Sequence, residues 1–220
     1  MTNLYISLPI ADFLVQSRVG LENAQSNPEI AGAIAQYGEN ADRIGEKMGL
    51  LVNAENLAEA QKIAYAGQHA ATQSVTEARA TADKQYSTHR RLALRVFQGD
   101  LQRRETLAIH MRKQSSFSKW LTQLLQFYNQ ALADPAVIDA LGRYNITQQD
   151  LQAGLALVQE VVRLNQEQED AKGKAQQATR DRDAALQVLG RAMSELREIA
   201  QIGLADRPDL YQSLQFGPAR

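Results

Sequence analysis

Asn27-Pro28-Glu29-Ile30 recurs 107 residues later as Asp134-Pro135-Ala136-Val137, and Tyr37-Gly38 recurs as Tyr144-Asn145. Both stretches carry the same turn chemistry. Asn27 and Asp134 have side chains that accept from the first free N–H groups of a helix, and a proline follows at the position where a missing N–H costs nothing. Ten residues on, Gly38 and Asn145 are the two residue types that best tolerate the left-handed conformation closing a helix. Asn40 and Thr147 are fresh N-caps, and Thr147-Gln-Gln-Asp150 has the form of a capping box with Asp in place of Glu. Each half therefore opens with two short helices, expected over 12–25 and 28–37 and over 118–132 and 135–144. A third, longer element starts near 41 and near 148.

Working outward, the offset of 107 runs without gaps. About 17 identities fall in roughly 95 aligned pairs, where this Ala-, Gln- and Leu-rich composition predicts about 7 or 8 by chance. The matches include proline and tyrosine as well as alanine. The chain is expected to be one elongated domain over 1–220, built from repeat 1 (13–107) and repeat 2 (120–214), with a flexible tail over 215–220.

No proline interrupts 41–97 or 148–204. Mostly small or apolar residues, diluted by glutamines and one histidine, follow steps of three and four: Ala54, Leu57, Gln61, Ala64, Gln68, Ala71, Val75, Ala78, Ala82, Gln85, His89, Leu92 and Val96 in the first stretch. The second keeps the register from Val161 through Ala175, Ala185 and Leu196 to Gly203. This is a heptad seam, and it predicts two continuous helices of about 57 residues, each about 85 Å long. Lying antiparallel, they would gather 1–40 with 205–220 at one end and 99–147 at the other. The alternative breaks each stretch into a hairpin near Gly67 and Gly173, because a mid-helix glycine costs about 1 kcal/mol; the result would be a four-helix bundle. Unbroken heptad phase across both glycines favours the continuous reading. Either way the fold class is all-α.

Composition closes several functional classes. The 220 residues are 44% hydrophobic and 22% charged, with a net charge of −1 and no cysteine. There is thus no disulfide, thiolate metal site or cysteine nucleophile. No basic n-region or cleavage site marks a signal peptide, and no apolar run approaches the about 18 residues of a membrane span, so a cytoplasmic location is expected. His69, His89 and His110 stand in no metal-ligand spacing, and no phosphate-cradling glycine motif or nucleophile elbow occurs. The sequence nominates no catalytic residue, metal ligand or cofactor, and the chain is read as no enzyme.

Charge is unevenly spread. Residues 22–59 hold seven acids (Glu22, Glu29, Glu39, Asp42, Glu46, Glu55, Glu59) against Arg43 and Lys47, while 79–119 hold ten bases against three acids. Arg90, Arg91, Arg95, Arg103, Arg104, Arg112 and Lys113 form a candidate polyanion contact, with Phe117 and Trp120 nearby for base stacking. Acidic and basic regions in one chain equally suit end-to-end association of copies. Tyr128, Trp120, Phe127, Tyr144 and Phe13 read as core. Ile63, Tyr65, Tyr86 and Leu94, beside the seam, read as exposed apolar positions available to partners.

The combination of Trp120-Leu121-x-Gln123, Phe127-Tyr128, Asp134-Pro135, Tyr144-Asn145-Ile146-Thr147 and Gly173-x-Ala175-Gln176-x-Ala178-Thr179 resembles uncharacterised, internally duplicated bacterial all-helical proteins. That resemblance implies the duplication and brings no activity, cofactor or site residue. The functional expectation is an architectural or adaptor protein working through helical protein–protein association, including homo-oligomers. The alternative is a nucleic-acid-associated helical protein using the basic 79–119 region.

Overall fold

The computed structural model describes residues 9–216. Its element order is α1 (Ile10–Ser26), α2 (Pro28–Ala35), α3 (Ala41–Val96), α4 (Leu101–Thr106), α5 (Phe117–Ala133), α6 (Pro135–Gly142), α7 (Gln148–Gly203) and α8 (Pro208–Ser213). Every start and end among α1–α4 recurs 107 residues later among α5–α8: Ile10 with Phe117, Ser26 with Ala133, Pro28 with Pro135, Ala35 with Gly142, Ala41 with Gln148, Val96 with Gly203, Leu101 with Pro208, Thr106 with Ser213. The left-handed residues pair in the same way. Gly38 (φ 92°) matches Asn145 (62°), and Ala108 (53°) matches Gln215 (54°).

The caps are those the turn chemistry requires. Asn27 Oδ1 accepts from the N–H groups of Glu29 and Ile30, Asp134 Oδ1 from Ala136, and Asn40 Oδ1 from Arg43. The capping box closes reciprocally: the Thr147 N–H donates to Asp150 Oδ2 at 2.8 Å, and the Asp150 N–H donates to Thr147 Oγ1 at 3.2 Å. Gly67 and Gly173 lie exposed inside continuous helices of 56 residues, so neither long stretch is a hairpin. Every residue named above on the seam is buried or half-buried. Two elements escaped the sequence reading, α4 and α8; at six residues each, they are too short to show a period.

The chain divides into two compact units, residues 1–66 with 173–220 and residues 67–172. In the first, Phe13, Leu21, Ile30 and Ile34 from α1 and α2 pack with Leu51 and Ala54 of α3, with Leu186, Leu189, Met193 and Leu196 of α7, and with Tyr211 and Leu214 of the α8 region. In the second, Trp120, Leu124, Phe127 and Tyr128 of α5 pack with Val137 and Leu141 of α6, Ala82 and Tyr86 of α3, and Leu151, Val158 and Val161 of α7. The early part of α3 thus meets the late part of α7 in one unit, and the late part of α3 meets the early part of α7 in the other. The two long helices pack together antiparallel. Phe216 is buried in the first core, so the tail expected from 215 contributes packing there; residues 217–220 lie outside the described residues.

The equivalent cores are filled differently. Gly20 lies beneath the Phe216 ring, where an added Cβ would stand 2.9 Å from the Leu214 carbonyl oxygen; at the matching positions the second unit has Phe127 and Ile109. Gly154 lies against the Tyr128 ring, where a Cβ would fall 2.3 Å from Cε1 and Cζ; its counterparts are Lys47 and Leu21. In the first unit Lys47 instead reaches the fully buried Glu39 carboxylate at 2.9 and 3.1 Å and Glu195 at 3.2 Å. Glu39 corresponds to the apolar Ile146. Two sequence readings need correction. Tyr86 is fully buried, because its ring packs edge-on against Phe127 and Tyr128 at 5.3 and 6.3 Å, and Tyr144 is 49% exposed, because it lies in the turn after α6.

Candidate association surfaces

All seven basic residues singled out from sequence lie in the second unit, but they do not form one free patch. Three are spent on holding the chain in place. The segment Ile109–Ser115 runs from α4 toward α5, and its backbone carbonyls need partners wherever water is excluded. Arg90 Nη2 donates to the carbonyls of Ile109 (3.3 Å) and Met111 (2.5 Å), and Arg79 Nη2 donates to that of Ser115 (2.8 Å). Lys113 Nζ reaches Asp83 Oδ2 at 2.7 Å and Ser87 Oγ at 3.1 Å. Gln123 seals the segment from α5: its Nε2 donates to the Ala108 carbonyl at 2.9 Å and its Oε1 accepts the Gln114 N–H at 3.0 Å. Arg103 is held between Asp100 (2.9 Å) and Asp134 (3.5 Å) in a cleft of about 420 Å3 that Thr106, Leu107 and Gln130 also line. Its charge is met locally by these two carboxylates.

The proposed stacking pair is also internal. Trp120 is 1% exposed, stacks on Phe117 with ring centroids 6.1 Å apart, and donates its indole N–H to Asp83 Oδ1 at 2.9 Å. The Arg79 guanidinium covers both rings, 5.1 Å from the Trp120 centroid and 5.6 Å from that of Phe117. Partial burial alone would raise the Asp83 carboxyl, but the bonds from Lys113 and Trp120 outweigh it and hold the group below its ordinary value. It stays ionised and ties helix, segment and indole together.

That leaves Arg91, Arg95 and Arg112 exposed, with Arg104 half-buried. Lys84, Arg91 and Arg95 share one face of α3 and have no ion pair among the described residues; the first two are seven residues apart and the last follows after four.

Two buried polar groups sit deeper in the same unit. His89 Nδ1 and Tyr128 Oη approach to 3.3 Å with the rings edge-on. Burial depresses the imidazole below its ordinary value against the opposing pull of Asp150. Burial also raises the Tyr86 hydroxyl to about 12, against the charge of Arg90. His89 is a seam residue, as its position predicts, and no group of His, Asp and Glu arranged to hold a metal occurs among the described residues.

The first unit has an open apolar groove of about 550 Å3 between α1 and α3. Leu14, Val15, Val19 and Ala58 form its floor. Arg18, bonded to Glu55 and Glu22, stands at its rim. Several large apolar side chains are exposed on the long helices: Ile63 at 66%, Val52 at 44% and Tyr65 at 42% on α3, and Val162, Val188 and Ile202 on α7. Ile63 and Tyr65 are exposed as their positions beside the seam predict, whereas Leu94 is half-buried against the second core.

Comparison with protein-family models, curated proteins and solved structures finds no match. No family is identified, and what stands is an all-helical chain with two similar long-helix units. No helix among the described residues is long and apolar enough to cross a membrane.

Proposed function

We propose that this chain is a duplicated, non-enzymatic association module that assembles through the outer faces of its helices, with copies of itself or with protein partners. The supporting observation is the exposure of large apolar side chains on faces the fold does not use, above all Ile63, Tyr65 and Val52 on α3. Val52 and Ile63 stand about three turns apart on nearly one side of α3, and exposed apolar side chains so aligned suit contact with a second helix. Sedimentation velocity across micromolar concentrations tests the reading. A sedimentation coefficient that rises with concentration supports it, and a monomer throughout refutes self-association.

The second reading, contact with a polyanion, rests on Lys84, Arg91, Arg95 and Arg112, which make no ion pair among the described residues. Arg90, Arg103 and Lys113 have internal partners, and Trp120 and Phe117 pack against each other, which lowers the number of free phosphate contacts. A low-salt gel-shift series with DNA and RNA decides it: no retardation removes the reading.

A further inference from the structure

The exposed face of α3 carries a charge order that its counterpart on α7 lacks. Following steps of three and four, the face reads Asp42, Glu46, Gly49, Asn53, Asn56, Ala60, Ile63, Gly67, Ala70, Ser74, Glu77, Thr81, Lys84, Thr88, Arg91 and Arg95. All are exposed except the half-buried Ser74. Acids open it and bases close it, with Glu77 an acid in the second half, and on this face no residue from Gly49 to Ser74 is charged. Among the described residues, Asp42, Glu46, Lys84, Arg91 and Arg95 make no ion pair. The matching face of α7 is what a solvated helix side looks like. Its central positions are Glu160, Arg163, Glu167, Asp170 and Lys174, and Arg163 pairs within the helix with Glu160 at 2.6 Å and with Glu167.

We infer that this face of α3 pairs with the same face of α3 in a second copy, antiparallel, about a two-fold axis passing between Gln68 and His69. The inference rests on the association reading above and names its partner and surface. Spacing restricts the register to steps of one heptad, and the charge order selects among them: this register sets both Asp42 and Glu46 opposite arginines, and a shift of one heptad either way leaves one acid–base pairing or none. Antiparallel helices with a heptad seam bring position against position, and with the axis there every residue of the face meets another residue of the same face. Glu46 stands opposite Arg91 of the second copy, Asp42 opposite Arg95, Asn53 opposite Lys84, and Ile63 opposite Ser74. The two-fold repeats each pairing, giving four acid–base pairs; inside them Lys84 meets Asn53 and Glu77 meets Ala60, and the face is uncharged from Ile63 to Ser74 about the axis. A parallel pairing would set acids on acids and bases on bases, which the charge order disfavours.

The native chain has no cysteine, so cross-linking reads the register directly. E46C and R91C variants, purified separately, are mixed under mild oxidation. The mixture is expected to give a covalent dimer and neither variant alone to do so; no product in the mixture, or an equal product from either variant alone, overturns the register. Charge reversal gives the second measurement. E46R and R91E should each weaken dimerisation about tenfold by sedimentation at low salt, because every change acts twice, and E46R/R91E together should restore it. Far-UV circular dichroism confirms that these surface variants are folded. If the native chain dimerises while reversals and cross-links fail, this surface is wrong and the association reading survives. If the native chain is monomeric throughout, this surface falls and self-association falls with it.

Discussion

Gly154→Ala is expected to destabilise the second unit, although alanine is the better helix former. Gly154 lies inside α7, where replacing glycine by alanine on an open face gains about 1 kcal/mol. Here the new Cβ would sit 2.3 Å from two Tyr128 ring carbons and 2.6 Å from the hydroxyl. The ring has no exposed surface to retreat into. Phe127 stands 5.1 Å from it edge-on, Tyr86 6.3 Å and His89 5.9 Å, and its hydroxyl faces the His89 imidazole. Overpacking at such a site falls at the top of the usual range, about 3 kcal/mol. The net loss is then about 2 kcal/mol, a fall of about 1 M in the urea midpoint at a slope of about 2 kcal/mol/M. The sole tryptophan, Trp120, lies in this core and reports its unfolding by fluorescence. Gly173→Ala on the same helix, with open space around it, should instead raise the midpoint by about 0.5 M, read by circular dichroism. In a Tyr128→Leu background, copying the residue at the matching position 21, Gly154→Ala should turn stabilising by about 1 kcal/mol. An unchanged cost in that background, or a gain in the native one, refutes the argument.

Other outcomes follow from the same geometry. Lys47→Met leaves the buried Glu39 carboxylate with Arg43, at 3.9 Å, as its one remaining cation among the described residues, and should cost about 3 kcal/mol or more by urea denaturation. Glu39→Ile together with Lys47→Met should return most of that loss, since the second unit carries Ile146 at the first of these positions. Because burial depresses His89, the folded chain binds fewer protons than the unfolded one below about pH 6.5. Stability should therefore fall as pH drops from about 6.5 toward the folded-state value, and His89→Gln, which keeps a polar partner for Tyr128, should remove that slope. Gly38→Ala should cost about 1 kcal/mol in thermal or urea unfolding because φ is 92°, whereas Gly38→Asn should be better tolerated, as Asn145 holds the matching site.

The architecture was legible in the sequence because its signals are local and repeated. Asn27-Pro28 and Asp134-Pro135 place two helix starts, Gly38 and Asn145 two ends, and the seam from Ala54 to Val96 carries α3 past Gly67 without a break. The candidate surfaces were less legible. Charge density along 79–119 is a property of the chain, whereas a free cation depends on what folds onto it. Arg90 and Lys113 are consumed by the Ile109–Ser115 segment, and the polar pattern of that segment gives no hint of its course. Tyr86 misled for a related reason. Its position beside the seam reads as solvent-facing until α5 covers it, and that contact joins residues some 40 apart.

Identical helix limits around unlike interiors have a consequence for how the chain avoids confusing its own halves. Neighbouring copies of one motif invite exchange, with a helix pair from one half settling in the other. Here such an exchange meets obstacles at the centre. Displaced into the first unit, Tyr128 and Phe127 would arrive where Lys47 occupies the place of Gly154 and Phe216 that of Ile109. Displaced into the second, Leu21 and Gly20 would leave voids beside Gly154 and Ile109. Divergence inside a preserved frame thus acts as an address, directing each short-helix pair to its own half.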